Sequence, residues 1–466
     1  MAALRTQCRF QRDRLRAIAI GAVLGAWCGV ALGADPPTTY DLSKCIQTAL
    51  RNSPDLAAAK AAVAGARARL EGVRTKRYGR LEYDQQFGAV NGATGDILDP
   101  PKQDKSNIFE DLGPFVRGSL DLNLPVWTFG KLAAALTAAE HGLGSQRADG
   151  ETKRADVIMS VKRLYYGLLL SWQLSDVLHD MLGDMEKAIK KTQERLDAGS
   201  SAVTEIDLLK LKTGYAKFAK GVLDVDASSE LTHAALGKTM GLGGGEPFAL
   251  ADRRLQPIAV SLAPQEQYLV DGPPRRPELR QLQSAVAAQS ARVALEEANY
   301  YPTIFLSGGF RYAYAPNRTE QDNPFAYDNF NYRFPYALLG LHWDLSVLQT
   351  SATLDEARAI LGGLQAQARR AEEELRLEIR KAYSDVERFR GAMKTGEEGR
   401  KAGRALLVLT VSNFDLGIGE AEELFKGLGT YTEMSSDYLR AVHDYNVAVG
   451  ALSKAVGAEL AALEYE

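Results

Sequence analysis

The residues with catalytic potential are few and scattered. Five histidines (His141, His179, His233, His342 and His443) share no metal-ligand spacing. Gly237-Lys238-Thr239 has the ending of a phosphate-binding loop. However, Thr232 stands where that loop needs its first glycine, and a helical rather than a strand pattern precedes it. Cys8 and Cys28 fall within the first 33 residues, which leaves Cys45 without an intramolecular disulfide partner in the remainder. No catalysis and no cofactor are therefore expected. Glu420, Glu422 and Glu423 lie directly after Gly417-Ile418-Gly419. Acidic residues there favour the start of a helix.

The start of the chain reads as a targeting segment. Arg5, Arg9, Arg12, Arg14 and Arg16 precede an apolar stretch over 17–30, too short for a stable membrane anchor, and Ala31-Leu32-Gly33 supplies small residues for cleavage. A signal peptide is expected over 1–33. Cys28 raises lipid attachment, but Trp27 occupies a position that needs a small residue. Cleavage removes five Arg and one Asp, a change of −4, and takes the net charge from −3 to −7. An exported, acidic chain is a poor nucleic-acid partner. With 25% charged and 45% hydrophobic residues, disorder is not expected. No apolar run approaches 18 residues after the leader, so no transmembrane helix is expected.

The stretch 276–314 organises the rest. Its first half is Ala-rich with helical spacing, Pro302 ends the helix, and a period of two begins at Ile304. Ile304, Leu306, Gly308, Phe310, Tyr312 and Tyr314 share one face; Phe305, Ser307, Gly309, Arg311 and Ala313 share the other. A helix running straight into a strand suits an elongated protein. The pattern occurs twice. Ser53-Pro54-Asp55-Leu56 matches Arg276-Pro277-Glu278-Leu279 at an offset of 223, and Tyr78 meets Tyr301 at the same offset. Leu122 onward lies over Leu341 onward, and Gly199 corresponds to Gly417. A repeat over 34–242, a linker over 243–275 and a second repeat over 276–466 are predicted.

Each repeat offers two strands. In the first, a helix over 42–76 leads to a strand over 81–90 and a loop over 91–113. Val116, Gly118, Leu120, Leu122 and Leu124 then alternate with Arg117, Ser119, Asp121 and Asn123. In the second repeat, Ala337, Leu339, Leu341, Trp343 and Leu345 alternate with Leu338, Gly340, His342 and Asp344. About ten residues, apolar on one side and polar on the other, is the span of a transmembrane barrel strand; a half-buried strand of a soluble sheet has the same local pattern. Long helices follow. Val157, Val161, Leu164, Leu168, Leu178, Leu182, Met185, Ile189 and Leu196 keep coiled-coil spacing, broken by Ser171, Ser175 and Thr192. Leu361, Leu364, Leu375, Ile379, Val386 and Met393 continue such a seam in the second repeat. Each helix turns at a glycine tip, and return helices are expected over 204–240 and 420–463. Four strands cannot close a barrel, and lipid tolerates no open edge. Strands in a membrane therefore require several chains in one barrel.

This duplicated order, with Asn52-Ser53-Pro54-Asp55-Leu56, Arg276-Pro277-Glu278-Leu279, Tyr301-Pro302 and Leu124-Pro125-Val126-Trp127-Thr128-Phe129-Gly130, resembles the TolC family of outer-membrane efflux proteins. The resemblance spans nearly the whole chain after the leader. It implies an α+β membrane protein: a homotrimer whose coiled-coil helices, an α-barrel in the periplasm, continue into a twelve-strand transmembrane β-barrel with four strands per chain. It also implies a passive exit duct in outer-membrane lipid, served by a periplasmic adaptor (membrane fusion) protein and an inner-membrane pump of RND or ABC type. Drug, metal-ion or protein cargo all remain open. Adaptor docking carries over to the tips Ala198, Gly199 and Ser200, and Leu416, Gly417 and Ile418. An aperture ring carries over to Glu420, Glu422 and Glu423, although Lys426 stands where another acid is usual. The barrel lumen is expected to present Arg117, Asp121, Asn123, Arg311, His342 and Asp344. The second repeat has Leu348-Gln349-Thr350 in place of the glycine exit. The alternative is a soluble periplasmic coiled-coil scaffold without channel activity.

Overall fold

The computed structural model describes residues 38–93, 95, 112–200, 203–242, 248–321, 325 and 328–461. The expected leader and Cys28 lie outside them, as do Ser201, Gly243 to Gly245 and most of the loop read over 91–113.

The chain runs β1 (Thr38–Tyr40), α1 (Leu42–Asn52), α2 (Pro54–Thr75), β2 (Arg80–Asn91), β3 (Leu112–Trp127), α3 (Lys131–Asp197) and α4 (Glu205–Thr239). It continues with β4 (Phe248–Leu250), α5 (Gln265–Arg275), α6 (Pro277–Ala298), β5 (Thr303–Tyr314), β6 (Tyr332–His342), α7 (Val347–Leu416) and α8 (Ala421–Val456). The second seven elements repeat the first in kind and order. The offset of 223 carries α1 onto α5, α2 onto α6 and β2 onto β5, residue for residue.

Several expectations change. The helix read over 42–76 is two helices. Ser53 ends α1 and caps α2, its Oγ accepting from the Leu56 amide at 3.5 Å, because Pro54 disfavours a helical residue before it and suits the first helical position. The stretch read as a linker, 243–275, contains α5 and also β4, which pairs in parallel with β1. β6 ends at His342, so Trp343, Asp344 and Leu345 lie beyond the strand they were assigned to. Asp344 instead accepts from the Ser346 amide and hydroxyl at 2.9 and 2.6 Å. α8 stops at Val456, before Gly457, rather than near residue 463.

α3 and α7 have 67 and 70 residues, which makes each about 100 Å long at 1.5 Å per residue. The predicted seam residues Val157, Val161, Leu168 and Met185 are buried in α3, as are Leu375, Ile379 and Val386 in α7. Two of the three polar interruptions are satisfied within the helix, and Ser175 donates to Asp226 of α4 at 2.7 Å. Ser171 and Thr192 donate to the carbonyls of Gly167 and Ala188, four residues back, at 3.0 and 2.8 Å. The core is strung along the helices in separate clusters. One gathers Cys45, Ile46, Val161, Tyr165, Leu168, Leu236, Met240 and Phe248; another, near the tips, gathers Met185, Leu211, Phe218, Phe414, Leu424 and Leu428. Burial first, and Asp41 second, push the Cys45 thiol up to about 12, so it stays protonated at neutral pH.

Helices join strands within a few residues. Between α2 and β2 a single 3-10 turn (Lys76–Tyr78) ends at Gly79, whose φ is +78°. A Cβ on Gly79 would collide with the carbonyl oxygen of Asn123 in the neighbouring strand. Gly417, at the far tip, has φ +79°, but a Cβ there meets only the Arg195 side chain at 3.6 Å. Gly417→Ala is therefore expected to cost about 1 kcal/mol through backbone strain alone. Gly79→Ala is expected to cost about 3 kcal/mol or more, since a backbone clash adds to the strain. Denaturant unfolding of the two variants, followed by circular dichroism, measures the difference. Equal losses would show that the elbow relaxes freely.

Candidate functional site

The four long strands form one antiparallel sheet in the order β2-β3-β5-β6. β2 and β6 are its edges, each hydrogen-bonded on one side only within the chain. The pairing register places Leu81, Tyr83 and Phe87 beside Leu122, Leu120 and Val116. It also sets Leu124, Leu120 and Val116 beside Leu306, Phe310 and Tyr314, and Leu306 beside Leu339. All belong to one face. Leu81 is 66% exposed, Phe87 78% and Leu339 73%. Gln85, which accepts from the Tyr83 and Tyr312 hydroxyls, and Arg333 share this face; apart from them it is apolar, and so much exposed apolar surface marks a partner or a membrane rather than water.

The other face carries polar side chains bonded in three separate groups. Arg311 donates to Asp121 Oδ1 through Nη2 at 3.0 Å and Nε at 3.1 Å. The Tyr336 hydroxyl donates to the same oxygen, and the Arg311 guanidinium lies 5.0 Å from the Tyr336 ring centre. Ser307 Oγ donates to Asn123 at 2.8 Å, and Arg117 donates to Gln86 at 2.9 Å. Expected residues Asp121 and Arg311 therefore meet directly. Arg117 and Asn123 each bond a different partner on a neighbouring strand, Gln86 and Ser307, and His342 sits at the strand end opposite Thr303. Asp344 is off the sheet. Leu338 and Phe334 interrupt the polar face near its edge. Gln86 falls with Glu82 and Asp84 on the polar side of a poorly alternating strand, but its contact with Arg117 is not legible in the sequence. Tyr336 is not among the expected polar-face residues, because only its hydroxyl is polar; that hydroxyl reaches Asp121.

The far ends of the hairpins form the second region. Both turns close alike. The Gly199 and Ser200 amides donate to the carbonyls of Leu196 and Arg195, each at 3.0 Å, and those of Gly417 and Ile418 to Phe414 and Asn413, each at 3.1 Å. Both glycines have positive φ, +68° and +79°, which is how helices commonly end. Ala198 and Gly199 are exposed, and so are Leu416 and Ile418.

The three glutamates separate in role. Glu420 and Glu423 are exposed and make no ion pair among the described residues. Glu422 is held between Lys210 of α4 and Lys426 of α8, at 2.9 Å from each. Lys426, which departs from the acidic pattern, thus neutralises a neighbour. A second tie was not foreseen. Lys191 contacts Asp415 Oδ1 at 2.8 Å, while Arg195 donates to the Phe414 and Asp415 carbonyls at 3.1 and 3.0 Å. Lys191 and Arg195, four apart in the last turns of α3, were the available signal. Two independent ties therefore join the first hairpin to the second at the tips.

Among the described residues, no helix is long and apolar enough to cross a membrane, and no group of His, Cys, Asp or Glu is arranged to hold a metal ion. Comparison with known proteins gives consistent matches. The family described as Outer membrane efflux protein matches residues 45–208 and 274–458. The fusaric acid resistance protein FusA of Burkholderia cepacia is 24% identical over 267 residues, covering 55% of this chain and 49% of that protein. The chain spans about half the length of the curated relatives it matches. Among solved structures, the outer-membrane channel OprN superposes with a TM-score of 0.73 at 17% identity, covering 89% of both chains. The outer membrane protein VceC of Vibrio cholerae gives 0.70 at 17% identity, covering 90% of this chain and 96% of that one. At these identities the structures establish a shared fold.

The tip ties set a pH response. Hydrogen bonds from Lys210, then Lys426, hold the Glu422 carboxyl down at about 2, against 4.5 ordinarily. A depressed carboxyl stabilises the tie above 4.5 and loses it as pH falls through about 2. A spin-label pair at Lys217 and Gly429 should keep its distance from neutral pH down to 4.5 and broaden toward 2. Glu422→Gln should show the broadened distribution already at neutral pH. An unchanged distance in that variant would mean that the tie through Lys191 and Arg195 holds the hairpins without Glu422.

Proposed function

Because the chain belongs to the outer membrane efflux protein family, we propose that it is a passive exit duct across the outer membrane of a Gram-negative cell. The single observation that carries the reading is the four-stranded sheet, with its exposed apolar face, hydrogen-bonded polar face and two bare edges. In lipid, bare edges must be paired. Three chains, edge to edge, make a closed barrel of twelve strands, within the range of known membrane barrels. The apolar face then meets lipid, and the polar face, with Arg117, Asp121, Asn123, Arg311 and His342, lines the lumen. The helices extend into the periplasm.

Work is done by partners. A periplasmic adaptor docks at Ala198, Gly199, Ser200, Leu416, Gly417 and Ile418 and connects the duct to an inner-membrane pump of RND or ABC type. Exposed apolar residues at Leu416 and Ile418 support docking there. The aperture lies at the same end. Three copies of Glu423, with Glu420 beside it, present carboxylates that repel one another and attract cations, while Lys210, Glu422 and Lys426 keep the hairpins together until the adaptor engages. The fusaric acid resistance of the matching relative supports small-molecule cargo over protein.

The test is where the mature chain goes and at what native mass. Outer-membrane fractionation with mild detergent is expected to yield a species of three chains. A monomer or dimer in the periplasm, free without detergent, would leave only the soluble scaffold. In bilayers, Glu423→Lys should move the reversal potential toward anions, and Lys210→Ala should raise conductance by about twofold or more by freeing the tips.

A further inference from the structure

At the end of the sheet remote from the helices, the turn after β5 folds back onto the strands. Ala313 and Ala315 are buried, although Ala313 shares the polar face with Arg311. The chain beyond β5 returns to this point, Asn331 Oδ1 accepting from the Ala315 amide. The Asn317 side chain fills the space that a side chain at Gly113 would take. Gly113 lies on the face of Arg117 and Asp121, being an even number of residues from both along an unshifted strand. Phe115, on the same face, meets Phe330 edge-on at 5.8 Å. The Arg318 guanidinium lies 3.9 Å from the Phe330 ring centre and donates to the Asn91 carbonyl at 2.7 Å.

The crossing is firmly fixed. Asn317 donates to the Val90 carbonyl at 3.0 Å. The Ala93 amide donates to the Asn317 carbonyl at 3.1 Å, and the Thr319 amide to that of Ala93 at 2.9 Å. Asp328 accepts from the Phe330 and Asn331 amides at 2.8 and 3.1 Å, and Asn331 joins the Ala315 amide to the Arg318 carbonyl at 2.8 and 3.1 Å. The turn thus leaves β5, passes over β3 on the polar side and is fastened beside β2.

The geometry points to a size-selecting constriction at the outer mouth of the duct, set by Asn317, Arg318 and Phe330. It rests on the duct reading, in which the polar face is the lumen. Three copies then lean into one opening. So many hydrogen bonds resist opening by thermal motion alone. Small or slender solutes pass, and bulky ones are held out even when the tips are open.

Accessibility from outside the cell tests this. Asn123→Cys places a thiol on the polar face, inward of the turn, while Cys45 is buried and unreactive. In intact cells a small methanethiosulfonate reagent should modify that thiol, and a bulky polyethylene-glycol maleimide should not. Adding Asn317→Ala with Arg318→Ala should speed the bulky reagent by about tenfold or more, the signature of a widened pore. Phe330→Ala, which removes the aromatic contact alone, should act in the same direction if the double variant fails to assemble. Bulky labelling that is equally fast with the turn intact would overturn the constriction. A thiol that the small reagent reaches only in periplasmic extracts would overturn the duct itself.

Discussion

A backbone edge inside lipid has no water to bond, so a sheet with one apolar face and two open edges is complete only when another strand closes each edge. The other features follow from this constraint. It explains why the apolar face carries Leu81, Phe87 and Leu339 uncovered, and why the opposite face spends its charges on itself, Asp121 against Arg311. It also explains the helices. Each long strand begins or ends within a few residues of a helix, so the barrel we propose would draw the helices into a shared ring.

The two ends of the hairpins use different chemistry to hold together. At the sheet, backbone hydrogen bonds fix register over as many as 12 consecutive pairs. At the tips, two hairpins meet through Lys191, Arg195, Lys210 and Glu422 around a small apolar cluster at Phe414 and Leu424. Exposed ion pairs contribute little individually. The tips are thus the part of the structure from which one partner surface is most readily exchanged for another.

Much of the architecture was legible in the sequence because its signals are periodic. The offset read at Pro54 and Pro277 proved to hold through whole elements, since equal helix lengths are needed for both halves to reach the sheet. Alternation at Leu120, Asp121 and Leu122 identified the faces correctly. What escaped was local or long-range. Three-residue strands such as Thr38–Tyr40 and Phe248–Leu250 are too short to show a period. The end of β6 could not be read from alternation, because Trp343 and Leu345 continue the pattern after the hydrogen bonds stop. Among the tip residues, Glu422 was visible as an acid but not as an ion-paired one. That depends on Lys210, which lies 212 residues away in sequence. The Asn317 notch likewise depends on a glycine in a different repeat.

The spacing of the clusters along α3 gives the molecule leverage. Tyr165 is anchored in a fully packed region, while Gly199 sits at an exposed tip 34 residues further on, or about 50 Å at 1.5 Å per residue. An arm of that length turns one degree of rotation at its base into almost 1 Å of travel at its end. Hydrogen bonds survive only a few tenths of an ångström of stretch before weakening. A torque that barely disturbs side-chain packing around Tyr165 is therefore enough to strain contacts at the tip, and the small angular play of a close-packed core reaches the far end magnified.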